Sequence, residues 1–441
     1  MPATSENAVT DEAVDSRQAA REIVRLLLIA IAIGVLAGIA TLAFIAADHF
    51  GVEFLWTTLP ELVPGVPPWA LSVGVVALMT LLASAVVAMV GSRPFDMGAA
   101  EAEYDHEGRM DYRRIGAGTL FSLFSLFSGA PVGPEAPLTD INGGMGTFVA
   151  EKLKLSKAQV KTMTYAGVAG AFSAFFGVAP VGAVLAAELI SPKSLAISRV
   201  QIVSGLGAGA AGWVVYSALG GHKISPVLVF PGAETITMAD LAIAAVLGIA
   251  GGVIGLVYGK GLMAARLRLQ AVRSKPWLAA LVGGVPVAVA AVAAPYLLFS
   301  GQSEMPRLID QAAALGVIAL LAIGVGKLAL SGWSLSSAYF GGPIFPVIFA
   351  GTCFGLALSI ALPFVPQGVA VVAIVTGMTV AAAVAPLSVT LFISMVADPV
   401  LAPSIAIAAV FAFAVRQLLA PTLPGIYRAT HAKEAAAARE A

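Results

Sequence analysis

Glu135 is the residue of this chain whose type and setting point most directly to chemistry with charge. It lies in residues 128–146, Ser-Gly-Ala-Pro-Val-Gly-Pro-Glu-Ala-Pro-Leu-Thr-Asp-Ile-Asn-Gly-Gly-Met-Gly, with prolines on either side of it. Gly133 and Pro134 stop any helix arriving from the N-terminal side. Pro137 suits the first turn of a new helix, where a missing N–H costs nothing. The free amides at such a start form an anion site. A carboxylate in the same place is a built-in anion that competes with a bound one. In a soluble protein the plainer reading, a loop glutamate capping a helix, would prevail. At membrane depth it does not, because a buried charge is costly there and usually marks a pathway.

Composition supplies the membrane. The 441 residues are 59% hydrophobic and 11% charged, with a mean hydropathy of +0.92. That is a polytopic membrane protein. Net charge is zero and no basic patch stands out, so no nucleic acid is expected as a partner. Cys353 stands alone in an apolar run, a core residue with no internal partner for a disulfide. His49, His106, His222 and His431 are far apart and show no metal-ligand spacing. No metal or cofactor is implied. The acidic, polar first residues are no signal peptide, and residues 1–21 are expected to form a disordered or loosely helical cytoplasmic tail.

The elements that must position Glu135 follow from apolar runs. Spans are expected near residues 26–47, 70–90, 200–219, 241–262, 277–299 and 312–330, with a shorter piece at 115–127. Residues 48–68 and 301–310 are expected as loops. Trp56 and Trp69 flank the first of these, either at the membrane interface or packed on neighbouring helices. Residues 165–189 are apolar but interrupted by Gly167, Gly170, Gly177, Pro180 and Gly182, which suggests broken and re-entrant helices. A second interrupted region covers 331–346, and further membrane pieces are expected at 347–362, 369–384, 387–396 and 405–419. Lys and Arg cluster before the first span, after the second, and around 152–161, 193–199 and 260–275. The positive-inside rule therefore puts both termini in the cytoplasm.

The chain also reads as two-fold. Phe340-Gly341-Gly342-Pro343-Ile344-Phe345-Pro346 repeats the design at Glu135, Gly and then a helix start with Pro. Two broken helices at corresponding places suggest inverted repeats meeting at a binding site. Gly and Pro are also common in membrane helices generally.

These residues resemble the CLC family of chloride channels and chloride/proton antiporters. Gly133-Pro134-Glu135-Ala136-Pro137 is similar to its Gly-Lys/Arg-Glu-Gly-Pro motif, followed in register by Ile141, Gly143 and Gly146. Residues 331–346 resemble its Gly-x-Phe-x-Pro region. Residues 166–188 resemble the half-helices after the first motif, and residues 383–398, with Ala385-Pro386-Leu387, a late family helix. The resemblance starts near residue 22. It implies an all-α transport domain over 22–428, with repeats at about 22–219 and 237–420 and a C-terminal cytoplasmic tail at 429–441. It also implies a homodimer in the cell membrane, with one anion pathway per subunit. Glu135 is then the gating glutamate. Gly133 and Ala136 on its own helix, and Ile344 and Phe345 on the second, are the expected anion contacts.

Several residues depart from the family pattern. Asp96-Met97-Gly98-Ala99-Ala100-Glu101 stands where the family has Gly-Ser-Gly-Ile-Pro, so Met97 takes the place of a serine that contacts chloride. Methionine donates no hydrogen bond, and the fluoride-exporting branch of the family is similar in having Met there. Pro343 falls where an N–H is often supplied, and Pro134 replaces a basic residue. Leu189 occupies the place of the antiporters' second glutamate, with Glu188 just before it. Glu188 is either a substitute on a proton pathway or a helix-end residue at the cytoplasmic surface. Tyr427, in Pro424-Gly425-Ile426-Tyr427, matches the family's anion-contacting tyrosine or is an interface aromatic. Asp140 and Lys327 read as structural charges.

The function expected is chloride transport gated by Glu135, with proton coupling left open. A fluoride/proton antiporter of the same family is the alternative. An intramembrane enzyme would need a nucleophile and base, or metal ligands, at membrane depth. No histidine falls inside an expected span, so the chain is read as no enzyme.

Overall fold

The computed structural model describes residues 5–90, 103–190, 198–221 and 228–419, and within these every regular element is helical. Helix α1 (Ser5–Glu53) continues through a π-helical turn at Phe54–Thr58 to Leu62. The expected loop at 48–68 therefore shrinks to residues 63–67, and residues 5–21 are helical. Trp56 explains part of this. Its Nε1 donates to the Phe127 carbonyl at 2.9 Å and its ring meets Phe299 edge-on, so it packs against neighbours instead of marking an interface.

The following helices are α2 (Pro68–Val90), α3 (Ile115–Phe127), α4 (Glu135–Lys152), α5 (Lys157–Phe176), α6 (Ala179–Ile190) and α7 (Arg199–Ala218). Then come α8 (Met238–Arg268), α9 (Pro276–Ala293), α10 (Met305–Ser336), α11 (Ile344–Ala361), α12 (Gln367–Ala383), α13 (Pro386–Val396) and α14 (Ala402–Leu419). Eight helices among the described residues are long and apolar enough to cross a membrane: α1, α2, α7, α8, α9, α10, α11 and α14. Helix α10 begins earlier than its hydropathy predicts, because Pro306 fits the first turn at Met305. It kinks at Gly316, whose φ of +75° is open to glycine at no steric cost.

One packing order occurs twice. In the first half α1, α5 and α7 pack together, and α4 lies on α5. In the second half α8, α12 and α14 pack together, and α11 lies on α12. Each trio is held by small residues four apart. A Cβ on Gly34 or Gly38 of α1 would strike the backbone of Ala208 or Gly212 of α7. A Cβ on Gly248 or Gly252 of α8 would crowd the backbone of Ala408 or Ala412 of α14. Lipid tails are as apolar as the helices, so membrane helices associate by this close backbone approach more than by hydrophobic exclusion. The fold is thus an all-α membrane fold of two inverted-topology repeats with broken helices. The halves are joined where α2 packs on α9 and α6 on α13.

The repeats meet most closely at two glycines. The Gly133 N–H donates to the Gly342 carbonyl and the Gly342 N–H to the Gly133 carbonyl, both at 2.7 Å. Each glycine is followed by Pro-x-x-Pro, and α4 and α11 start two residues beyond Gly133 and Gly342 respectively. The loop before α11 is fastened to the first half by α3. Ser125 Oγ accepts from the Phe340 N–H at 3.0 Å, and Ser122 Oγ donates to the Phe340 carbonyl at 3.3 Å.

Candidate functional site

The two Gly-Pro-x-x-Pro starts form a shared polar point inside an apolar core. Each helix start has four amides without an intrahelical partner. Pro137 and Pro346 have no N–H, and neither do Pro134 and Pro343 before the helix. Each start therefore offers a short row of donors, Glu135 and Ala136 on α4, Ile344 and Phe345 on α11.

Glu135 is the first residue of α4 and fully buried, at 0% exposure. Its side chain does not stay on its own helix. It crosses to α11, where Oε1 accepts from the Phe345 N–H at 3.2 Å. The Ile344 amide and the amide of Glu135 itself also face the carboxylate. Oε2 is buried and accepts no hydrogen bond from the described residues. The carboxylate passes over both junction glycines, since a Cβ at Gly133 or Gly342 would collide with it. It is held by a helix N-terminus, where partial positive charge favours an anion, yet it is half satisfied. An unmet buried acceptor costs about 1–3 kcal/mol, so the seat is not a deep one.

The predicted residues are placed unevenly. Glu135, Ile344 and Phe345 come together as the sequence suggested. Ala136 is buried beside them, in an apolar cluster that includes Phe121 and Phe340. Gly133 is at the site, but its N–H is engaged by Gly342, so its contribution is the room left by a missing side chain and not an amide for an anion. Met97 and Tyr427 lie outside the described residues. Glu188 is 53 positions on from Glu135 in sequence, in α6, and 8% exposed. Its carboxylate accepts from the Leu387 N–H and the Ser388 N–H, both at 2.8 Å, and from Ser388 Oγ at 2.5 Å. Glu188 is thus a second carboxylate seated on a helix start, that of α13, and is not at an exposed surface. Lys327 is fully buried and donates to the carbonyls of Tyr296, at 3.3 Å, and Leu298, at 2.5 Å, above the Phe349 ring.

Sequence reasoning missed two features. Gly342 is as necessary to the carboxylate's seat as Gly133, and the repeated Gly-Pro-x-x-Pro was the signal for it. Phe345 also anchors a ring cluster, with centroids 5.6 Å from Phe175 and 6.0 Å from Phe176, and Phe176 in turn lies 4.6 Å from Phe392. These phenyls come from two other helices, α5 and α13, and have no common spacing in sequence.

The profile of the family described as voltage gated chloride channel matches residues 75–417 of the chain. The chain belongs to this family. Among its relatives is YfeO of Escherichia coli O7:K1 (strain IAI39 / ExPEC), provisionally described as an ion-transport protein. YfeO is 26% identical over 365 residues, covering 81% of this chain and 84% of that protein. YfeO of Salmonella newport (strain SL254) is 26% identical over 366 residues, covering 81% and 86%. The fold of a slow cyanobacterial Cl⁻/H⁺ antiporter matches with a TM-score of 0.78 at 18% identity, covering 93% of this chain and 98% of that one. A CLC-type fluoride/proton antiporter matches with a TM-score of 0.73 at 16% identity, covering 90% and 96%. At these identities the two solved structures speak for the fold.

Proposed function

We propose that this member of the voltage-gated chloride channel family carries an inorganic anion across the cell membrane through a pathway gated by Glu135. The observation that carries the reading is the buried Glu135 carboxylate seated on the Phe345 amide at the start of α11. A carboxylate there imitates a bound anion. Protonation removes its charge and with it the reason to stay on a helix N-terminus. A free anion then takes the Ile344 and Phe345 amides. Chloride is the first substrate by family. Met97 supports a second reading, fluoride, because a thioether cannot replace the hydroxyl that favours chloride. Glu188 anchors α13 through its three hydrogen bonds and is the candidate partner of Glu135 if protons move. The basic loops support cytoplasmic termini by the positive-inside rule, and the family resemblance implies a homodimer with one pathway in each subunit.

The test is anion efflux from liposomes holding the purified protein, with chloride and fluoride compared and internal pH recorded. Acid is expected to speed efflux in the wild type. Glu135→Gln, a fixed copy of the protonated state, is expected to flatten that dependence. Unchanged flux and unchanged pH dependence in Glu135→Gln would remove the gate. A shift toward chloride in Met97→Ser would make Met97 a selectivity residue, and no shift would leave it as packing.

A further inference from the structure

A cavity among the described residues lies away from Glu135. It is a cleft of about 800 Å³ between α8 and α10, floored by α11, within the roughly 300–1,000 Å³ range of ligand sites. Its lining is almost wholly apolar, and on α8 it follows one helical stripe, Ala250, Ile254, Val257, Gly261 and Ala265. Helix α10 forms the other wall and is weakly packed. Its most apolar window is 22% buried, against 72% for α11. At the floor Tyr258 turns its hydroxyl to Ser331 at 3.2 Å. From Leu247 to Ala265 the lining runs along 19 residues of α8, a rise of roughly 27 Å at 1.5 Å per residue. That is close to the roughly 30 Å depth of a bilayer's hydrocarbon.

What ends the stripe identifies its occupant. Continuing the α8 register by three residues from Ala265 reaches Arg268 on the stripe's own face, with Arg266 on the neighbouring face. Both stand in the last turn of α8, where the helix dipole favours them. An apolar slot running along the membrane, with Arg268 on the same helix face one turn beyond its last lining residue, matches an acyl chain with an anionic phosphate at its head. We propose that the α8–α10 cleft binds an anionic phospholipid, with one acyl chain lying between the helices over α11 and the phosphate at Arg268.

Native mass spectrometry of the full-length protein tests this, after extraction into detergent with phosphatidylglycerol or phosphatidylcholine added at equal concentration. The wild type is expected to keep one phosphatidylglycerol per chain at several-fold higher occupancy than phosphatidylcholine. Arg268→Gln, at an exposed position, is expected to erase that preference. Ala250→Phe and Ala329→Phe fill the cleft from its exposed walls and are expected to remove the retained lipid while the melting curve stays unchanged. Equal retention of the two lipids, or full retention in the filled variants, would overturn the proposal. So would a dimer mass that disappears when the cleft is filled, since the occupant would then be a second copy of the chain.

Discussion

The proposed gate at Glu135 rests on its being incompletely held by the groups around it. One oxygen accepts from the Phe345 amide, with the Ile344 and Glu135 amides also facing the carboxylate, and the other accepts no hydrogen bond among the described residues, in a site without room for a side chain on Gly133 or Gly342. Gly342→Ala tests this geometry directly. The added methyl is expected to force the carboxylate off the Phe345 amide, so that liposome efflux loses most of its pH dependence, as in Glu135→Gln. A pH profile matching wild type would show that the seat is wider than the structure implies. Glu188 is the contrasting residue, with three short hydrogen bonds to α13. Hydrogen bonds to a charged group contribute about 1.5–3 kcal/mol each. Glu188→Gln is expected to lower the melting temperature by several degrees, with anion flux per folded protein retained. Loss of proton movement at an unchanged melting temperature would make it a proton carrier.

At the scale of helices, the site depends on two bundles that cross at small residues. Gly34 and Gly38 meet Ala208 and Gly212, and Gly248 and Gly252 meet Ala408 and Ala412. A branched side chain there cannot be absorbed by a rotamer change, because the obstacle is backbone. Overpacking of this kind costs about 1–3 kcal/mol. Gly248→Val is therefore expected to lower thermal stability in detergent, whereas Gly259→Val, on the same helix with open space around it, is expected to change it little. Equal effects from the two would mean that helix propensity, and not the crossing, sets the cost.

For the whole molecule the open question is orientation, and the chain provides a clean way to measure it. Its one cysteine, Cys353, is buried at 0% exposure, so a membrane-impermeant maleimide should not reach it. Ser303, between α9 and α10, and Lys275, between α8 and α9, are both exposed. With basic loops inside, Ser303→Cys is expected to label on intact cells and Lys275→Cys only after permeabilisation. The reverse pattern would invert the whole topology.

The sequence by itself determined the class of the molecule. Hydropathy marked the membrane pieces, and Gly and Pro marked where helices break, because both act through local backbone physics. The same local signals located the Glu135 start and its counterpart at Phe345. Local signals failed where contacts are made over long separations. The helix through Trp56, the early start of α10 and the phenyls around Phe345 depend on which helices become neighbours. The same holds for Glu188, whose partners Leu387 and Ser388 lie some 200 positions away. Above all, the crossing of the Glu135 side chain from α4 to α11 is a tertiary fact. It rests on two glycines 209 positions apart exchanging hydrogen bonds, which brings two helix starts together so that one carboxylate can serve both. A one-dimensional pattern can suggest such a meeting, but only the packing of the two halves brings it about.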